Sequence, residues 1–203
     1  MEIKKSFEID AKTSPVLPQW RRLTKEEKAK VFVNYAANNG GRAITLKLSQ
    51  NRARYVNGHD KPMRQISKRM NKELRAVDLC WLPIFLILEV EKNNIVPHLH
   101  GVYVGNGVQK DTVQAAMRRA AGYVQGRSGS RQYMERQIYD AEGWSKYILK
   151  DCTTTRRLLR VADESSLYWV SRTMTQLARD DYETRGLGNQ FSADFATVLS
   201  YAA

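Results

Sequence analysis

Two apolar runs, Trp81 to Glu91 and Ile95 to Val104, are separated only by the polar Lys92-Asn93-Asn94, and no other stretch constrains the fold as tightly. Short apolar runs bounded by turn residues suit buried strands. So short a break allows only antiparallel pairing, because a parallel pair needs a crossover of a dozen residues or more. The result is a hairpin whose first arm ends in Leu88-Glu89-Val90-Glu91 and whose second carries Pro97-His98-Leu99-His100-Gly101. Side chains alternate along a strand, so His98 and His100 share a face. With the turn centred on Asn94 and Ile95, Glu91 falls opposite His98 and Glu89 opposite His100. Two imidazoles and a carboxylate meeting at one point make a metal-ligand set that leaves coordination positions for water or substrate oxygens. The plainer alternative is a hydrogen-bonded histidine pair on a half-buried strand.

The remaining chain supplies helices and further strands around this hairpin. Residues 1 to 23, broken by Pro15 and Pro18, read as an irregular leader that packs through Val16, Leu17 and Trp20. Thr24-Lys25-Glu26-Glu27 matches a capping box and starts a helix over 25 to 38, stopped by Asn39-Gly40-Gly41. Ala43 to Ser49 reads as a strand, followed by a polar, basic loop through Arg52, Arg54 and Asp60. A second helix opens at Pro62, with Met63, Ile66, Met70 and Leu74 on one stripe and Arg64, Lys68, Arg69, Lys72 and Arg75 on the other face. That basic face is either simply solvated or a track for a phosphate backbone. Beyond the hairpin come a helix over 110 to 122, a β-like run from Arg131 to Tyr139 and a helix over 143 to 151. A polar linker with Arg156, Arg157 and Arg160 then leads to a helix near 163 to 182. The order β-α-β-β-α-β-α is that of an α+β, ferredoxin-like split βαβ: an antiparallel sheet flanked by helices, with a helical C-terminal extension.

Charge narrows the partner. The 203 residues carry 33 Lys and Arg against 21 Asp and Glu, a formal net charge of +12, which favours a polyanion, above all nucleic acid. Cys80 and Cys152 are too few for a disulfide framework or a zinc ribbon, so both are expected reduced, in a soluble cytoplasmic protein. No signal-peptide h-region and no membrane-length run occurs.

A second constellation lies on the helix over 143 to 151. Tyr147 and Lys150, at i and i+3, share a face, placing an ammonium near a phenol or near an anion bound to it. A free phenol ionises near pH 10, so a cationic or metal-rich setting is what makes its phenolate a usable nucleophile.

Taken in order, Ala43-Ile44-Thr45-Leu46, the Glu-containing strand leading to Pro97-His98-Leu99-His100-Gly101, and Tyr147-Ile148-Leu149-Lys150 resemble the three motifs of the rolling-circle replication initiators. These are the HUH endonucleases, in which U is a bulky apolar residue, here Leu99. The resemblance covers about residues 42 to 151, and implies a leader over 1 to 23, a nuclease domain over 24 to 151 and a C-terminal extension over 152 to 203 packed on the same domain. It implies that His98 and His100 hold Mg²⁺ or Mn²⁺ with Glu91 as third ligand, or Glu89 as its alternate. Tyr147 would be the nucleophile that forms a 5′-phosphotyrosine and frees a 3′-hydroxyl primer, with Lys150 orienting the phosphate or stabilising the phenolate. Arg64, Lys68, Arg69, Lys72, Arg156 and Arg157 are the expected contacts to single-stranded or hairpin origin DNA of a phage or plasmid in a bacterial host.

Departures from the family pattern sharpen this expectation. Gly143 and Asp151 stand four residues either side of Tyr147, so the second tyrosine of one phage branch is missing and a single-tyrosine enzyme is implied. No G-x-x-x-x-G-K-[ST] occurs, so unwinding and synthesis would fall to a host helicase and polymerase. Conjugative relaxases place the tyrosine before the histidine pair, the reverse of the order here. A single-tyrosine transposase of the same superfamily, or a non-catalytic nucleic-acid-binding module on a ferredoxin-like sheet, remain the alternatives. A cupin-like site would use a later histidine, and none follows His100.

Overall fold

The hairpin forms the middle of a five-stranded antiparallel sheet in the computed structural model, which describes residues 17–91, 94–124 and 131–185. In chain order the elements are a 3-10 turn at Trp20–Arg22, α1 (Lys25–Asn38), β1 (Arg42–Lys47), α2 (Gln50–Asn57), α3 (Pro62–Arg75), β2 (Ile84–Glu91), β3 (Asn94–Tyr103), α4 (Lys110–Ala121), β4 (Tyr133–Gln137), α5 (Ala141–Leu149), α6 (Cys152–Leu159), a 3-10 turn at Glu164–Leu167, β5 (Tyr168–Val170) and α7 (172–185). The strands lie in the order β4-β1-β3-β2-β5 with every neighbouring pair antiparallel. The fold is α+β, an open antiparallel sheet with helices on both faces.

Opposed residues share a face, so the register separates the two surfaces of the sheet. Thr45, Ile87 and His100 stand side by side on one face, as do Lys47, Glu89 and His98, and Ala43, Phe85 and Val102. This face is covered by α1, whose Phe32 ring meets Phe85 at 5.1 Å, and by α5, whose Trp144 and Tyr147 rings meet His100. The other face carries Ile44, Leu46, Ile84, Leu86, Leu88 and Leu99, all buried. It is covered by α3 and α4 through Met63, Ile66, Met70 and Leu74 from one helix and Val113, Ala116 and Met117 from the other. Burial of each such side chain contributes about 1.5–3 kcal/mol relative to exposure.

Local sequence explains where the helices begin. The Thr24 hydroxyl accepts from Glu27 N–H while the Glu27 carboxylate accepts from Thr24 N–H, which satisfies two donors at the start of α1. Pro62 occupies the first turn of α3, where its missing N–H costs nothing.

Three sequence expectations need correction. The expected loop after β1 contains α2, capped by the Ser49 hydroxyl and seated through Ala53 and Val56; two small apolar positions in a basic octet gave too weak a stripe to read. The expected linker after Asp151 is α6, which buries Cys152, Thr155 and Leu159. The single helix near 163 to 182 is interrupted by β5, because Tyr168-Trp169-Val170 fills the open edge of β2, opposite Phe85, Leu86 and Ile87. Ser171 then closes that junction, its hydroxyl accepting from Ile84 N–H, and α7 follows.

At the termini, Trp20 of the expected leader packs on Phe32 and on Tyr182 of α7, with ring centroids 5.9 Å apart in each case. Leu17 is exposed, and Val16 lies outside the described residues. Among the described residues no helix is long and apolar enough to cross a membrane.

The two cysteines differ in accessibility: Cys80 is exposed, while Cys152 is buried beneath Tyr168, whose hydroxyl donates to Sγ, and burial pushes its thiol up to about 11. Titration of the native protein with a maleimide is expected to modify Cys80 rapidly and Cys152 only after denaturation. Equal rates at both thiols would contradict the packing of α6 against the sheet.

Candidate active site

Register brings the ligand set together, but not the register expected from the hairpin alone. Glu89 stands opposite His98, Ile87 opposite His100, and Glu91 opposite Asn94, with an irregularity in pairing between Glu89 and Glu91. Glu89 therefore takes the place expected for Glu91 as the carboxylate of the cluster, and the side chain of Glu91 lies outside the described residues. At the irregularity, Val90 N–H donates to the Thr155 hydroxyl of α6 at 3.1 Å, so that helix supplies a side-chain acceptor where β2 runs past its pairing with β5.

The cluster is dry. Glu89, His98 and His100 are 4%, 8% and 2% exposed, and one ligand atom from each lies within 4.8 Å of the others. Glu89 Oε2 is 3.0 Å from His100 Nε2 and 3.7 Å from His98 Nε2. The shorter approach is off the hydrogen-bonding line, so Glu89 Oε2 and His100 Nε2 are both buried without a hydrogen-bond partner. Burial pushes the Glu89 carboxyl up, but His100, His98 and the Lys150 ammonium together outweigh it and hold the group below the usual carboxylate range.

Two orphaned polar atoms aimed at each other in a buried pocket fit a cation between them. An unpaired buried donor or acceptor otherwise costs about 1–3 kcal/mol. The donor set of two imidazoles and one carboxylate suits a divalent first-row transition metal such as Mn²⁺, with positions left open for oxygen ligands. Thr45 strengthens the fit, since its hydroxyl lies 2.9 Å from His100 Nδ1 and so fixes the ring with Nε2 turned toward Glu89.

Helix α5 delivers the second half. Asp140 caps it, its carboxylate accepting from Gly143 N–H at 2.8 Å, and Ile148 anchors it in the core. Trp144 Nε1–H donates to the Gly101 carbonyl at 3.2 Å, tying the helix to the residue that follows the histidine pair. The Trp144 and Tyr147 rings stack at 5.3 Å with an interplanar angle of 14°, and Tyr147 stands edge-on to His100 at 5.2 Å. Tyr147 remains 42% exposed beside a buried cluster. Lys150 Nζ sits 4.0 Å from the Tyr147 ring centroid and 3.9 Å from Glu89 Oε1, linking phenol and carboxylate.

Of the residues expected from sequence, His98, His100, Glu89, Tyr147 and Lys150 come together. Arg156 and Arg157 are exposed on α6, which follows directly on α5, with Arg156 4.0 Å from Glu164. Arg64, Lys68, Arg69 and Lys72 do not reach the cluster. Their helix α3 lines a cavity with Trp169, which sits opposite Leu86 on the far face of the sheet. Three residues were not singled out from sequence: Thr45, Trp144, and Lys47, exposed on the cluster's face in register with His98. Strand alternation flags Thr45 and Lys47 once β1 is placed beside β3, and Trp144 sits one helical turn before Tyr147.

Comparison of the chain with protein-family models, curated proteins and solved structures gives no match.

Calorimetric titration with Mn²⁺ should detect one site. Glu89→Gln and His98→Ala should each weaken it by more than tenfold and Thr45→Val by about tenfold, the size of loss usual when a ligand's outer partner is removed. Glu91→Gln should bind as wild type. If instead Glu91→Gln abolished binding and Glu89→Gln did not, the register would be wrong.

Proposed function

We propose that the chain is a metal-dependent endonuclease of the HUH type, a replication initiator that nicks single-stranded or hairpin origin DNA through Tyr147. The observation that carries this reading is the partly exposed Tyr147, its ring against His100, beside a buried Glu-His-His cluster, with Lys150 against both. A cluster alone would suit a hydrolase. A phenol set against one of its imidazoles favours covalent strand transfer. The strand order also supports the reading: β4-β1-β3-β2, with crossovers through α2 and α3 and through α4, is the order of a ferredoxin-like split βαβ, to which β5 adds an edge strand.

A divalent cation such as Mg²⁺ or Mn²⁺, held by Glu89, His98 and His100, would supply Lewis-acid polarisation of the scissile phosphate. Tyr147 contributes the nucleophile. Its oxygen bonds to phosphorus as the bond from phosphorus to the 3′-oxygen breaks, and the departing oxygen takes a proton to become a 3′-hydroxyl. The phenol proton leaves to solvent on the ring's open side. Products are a 5′-phosphotyrosine and a free 3′-hydroxyl that can prime synthesis by a host polymerase. Lys150 holds negative charge on the phosphate and the phenolate, and Lys47 and Arg157 extend the positive surface for flanking phosphates. Trp144 keeps the Tyr147 ring over His100 by stacking and by its bond to Gly101. Glu89 supplies negative charge to the cation and restrains Lys150.

Wild-type protein incubated with Mn²⁺ and labelled single-stranded DNA from the replicon carrying the gene should give an adduct that survives SDS. Tyr147→Phe should give none. His98→Ala should lose the adduct but keep DNA affinity within about threefold, because cations supply most of the binding. That affinity should fall steeply with added salt. Tight binding without any adduct on hairpin or single-stranded substrates would leave a non-catalytic binding module as the better reading.

A further inference from the structure

Beside the cluster, and not part of it, lies an open groove of about 530 Å³ between the edge strand β4 and helix α5. Its lining includes Met134, Arg136, Ile138 and Tyr139 from β4 and the residues after it, Trp144 and Tyr147 from α5, and Thr45 from β1. Met134 and Tyr139 are 44% and 87% exposed, unusual for large apolar and aromatic side chains on one short stretch. Arg136 and Met134 belong to the cluster's face of the sheet, since they stand opposite Ala43 and Thr45. The acidic residue of the lining, Asp140, is engaged in capping α5 through Gly143 N–H.

We infer that this groove seats an unpaired nucleobase of the DNA strand adjoining the phosphate held at Tyr147, with the base against Met134, Ile138 and Trp144 and Arg136 on a flanking phosphate. The inference rests on the nickase reading above. Three observations point to this occupant. Tyr147 belongs both to the groove and to the cluster, so a phosphodiester at its hydroxyl places the adjoining nucleotide at the groove's mouth. The lining combines flat apolar and aromatic surface with a guanidinium, the pairing that stacks bases while holding phosphates. The outer edge of β4 has no strand partner among the described residues, which leaves backbone N–H and C=O groups for a base edge. A duplex fits poorly here, because its bases are already stacked and paired. The groove would thus select for an unpaired or extruded nucleotide next to the cleavage point, and its lining would set sequence preference there.

The test uses the full chain in EDTA, where metal-dependent chemistry is blocked, and a 20-mer of deoxythymidine containing 5-iododeoxyuridine. Irradiation followed by mass spectrometry should find cross-links on Met134, Tyr139 or Trp144. A second measurement compares affinity for the thymidine 20-mer and for an all-abasic 20-mer of the same charge. Wild type should prefer the base-bearing strand by about tenfold, the scale of one or two stacked bases. Met134→Asn, exposed on an edge strand and so without consequence for folding, should cut that preference at least threefold while leaving abasic affinity unchanged. Cross-links confined to other surfaces, or a preference indifferent to Met134→Asn, would overturn the inference. The adduct assay separates the two claims. An adduct with no groove signal removes the groove and leaves the nickase, whereas a groove signal with no adduct removes the nickase and leaves a base-binding groove.

Discussion

At the centre of the structure one carboxylate, that of Glu89, is buried inside a sheet. A lone buried carboxylate would neutralise itself or destabilise the fold by several kcal/mol. Here the two histidines on the neighbouring strand and Lys150 at the end of α5 offset that burial, and hold the group below the usual carboxylate range. The compensation is incomplete, since two atoms of the cluster face each other without a hydrogen bond. A fold that buries such a pair and leaves it unsatisfied is poised for a cation.

Around that centre the two faces divide the work. One is a plain apolar interface, Ile44, Leu46, Leu86, Leu88 and Leu99 against α3 and α4, which supplies stability. The other carries the cluster and is only partly covered, by α1 at one end and α5 at the other. The division explains why the basic face of α3 does not contribute to the site despite its charge. Helix α5 is positioned by its cap at Asp140, by Ile148 in the core and by the Trp144 bond to Gly101, so Tyr147 is held by three separate attachments while staying partly exposed.

Much of this was legible in the residues. Alternation along a strand puts His98 and His100 on one face wherever the strand goes, and helical spacing puts Lys150 beside Tyr147, found 4.0 Å from its ring. The carboxylate shows where such reasoning stops. A register shift of two residues preserves the face and changes the partner, so the hairpin pattern could assign an acidic residue to the site without choosing between Glu89 and Glu91. The choice came from the pairing of Glu91 with Asn94 and from the irregularity before Val90, whose N–H is met by Thr155 of α6. Likewise α2 and α6 were hard to read because their buried stripes are short and consist mostly of modest-sized or polar residues, Ala53, Val56, Cys152 and Thr155 with Leu159, that acquire meaning only against a neighbour.

By itself the sequence determined the hairpin, the antiparallel α+β class, the histidine pair, the tyrosine-lysine pair and the excess of positive charge, because each follows from local periodicity or from counting. Tertiary structure alone decided which carboxylate joins the histidines, that Tyr147 meets His100, that Thr45 orients His100 while Trp144 holds Tyr147, and that the α3 cations lie behind the sheet. Those outcomes depend on strand register and on which face each helix covers. Both are set by contacts between residues far apart in the chain, which no local pattern encodes.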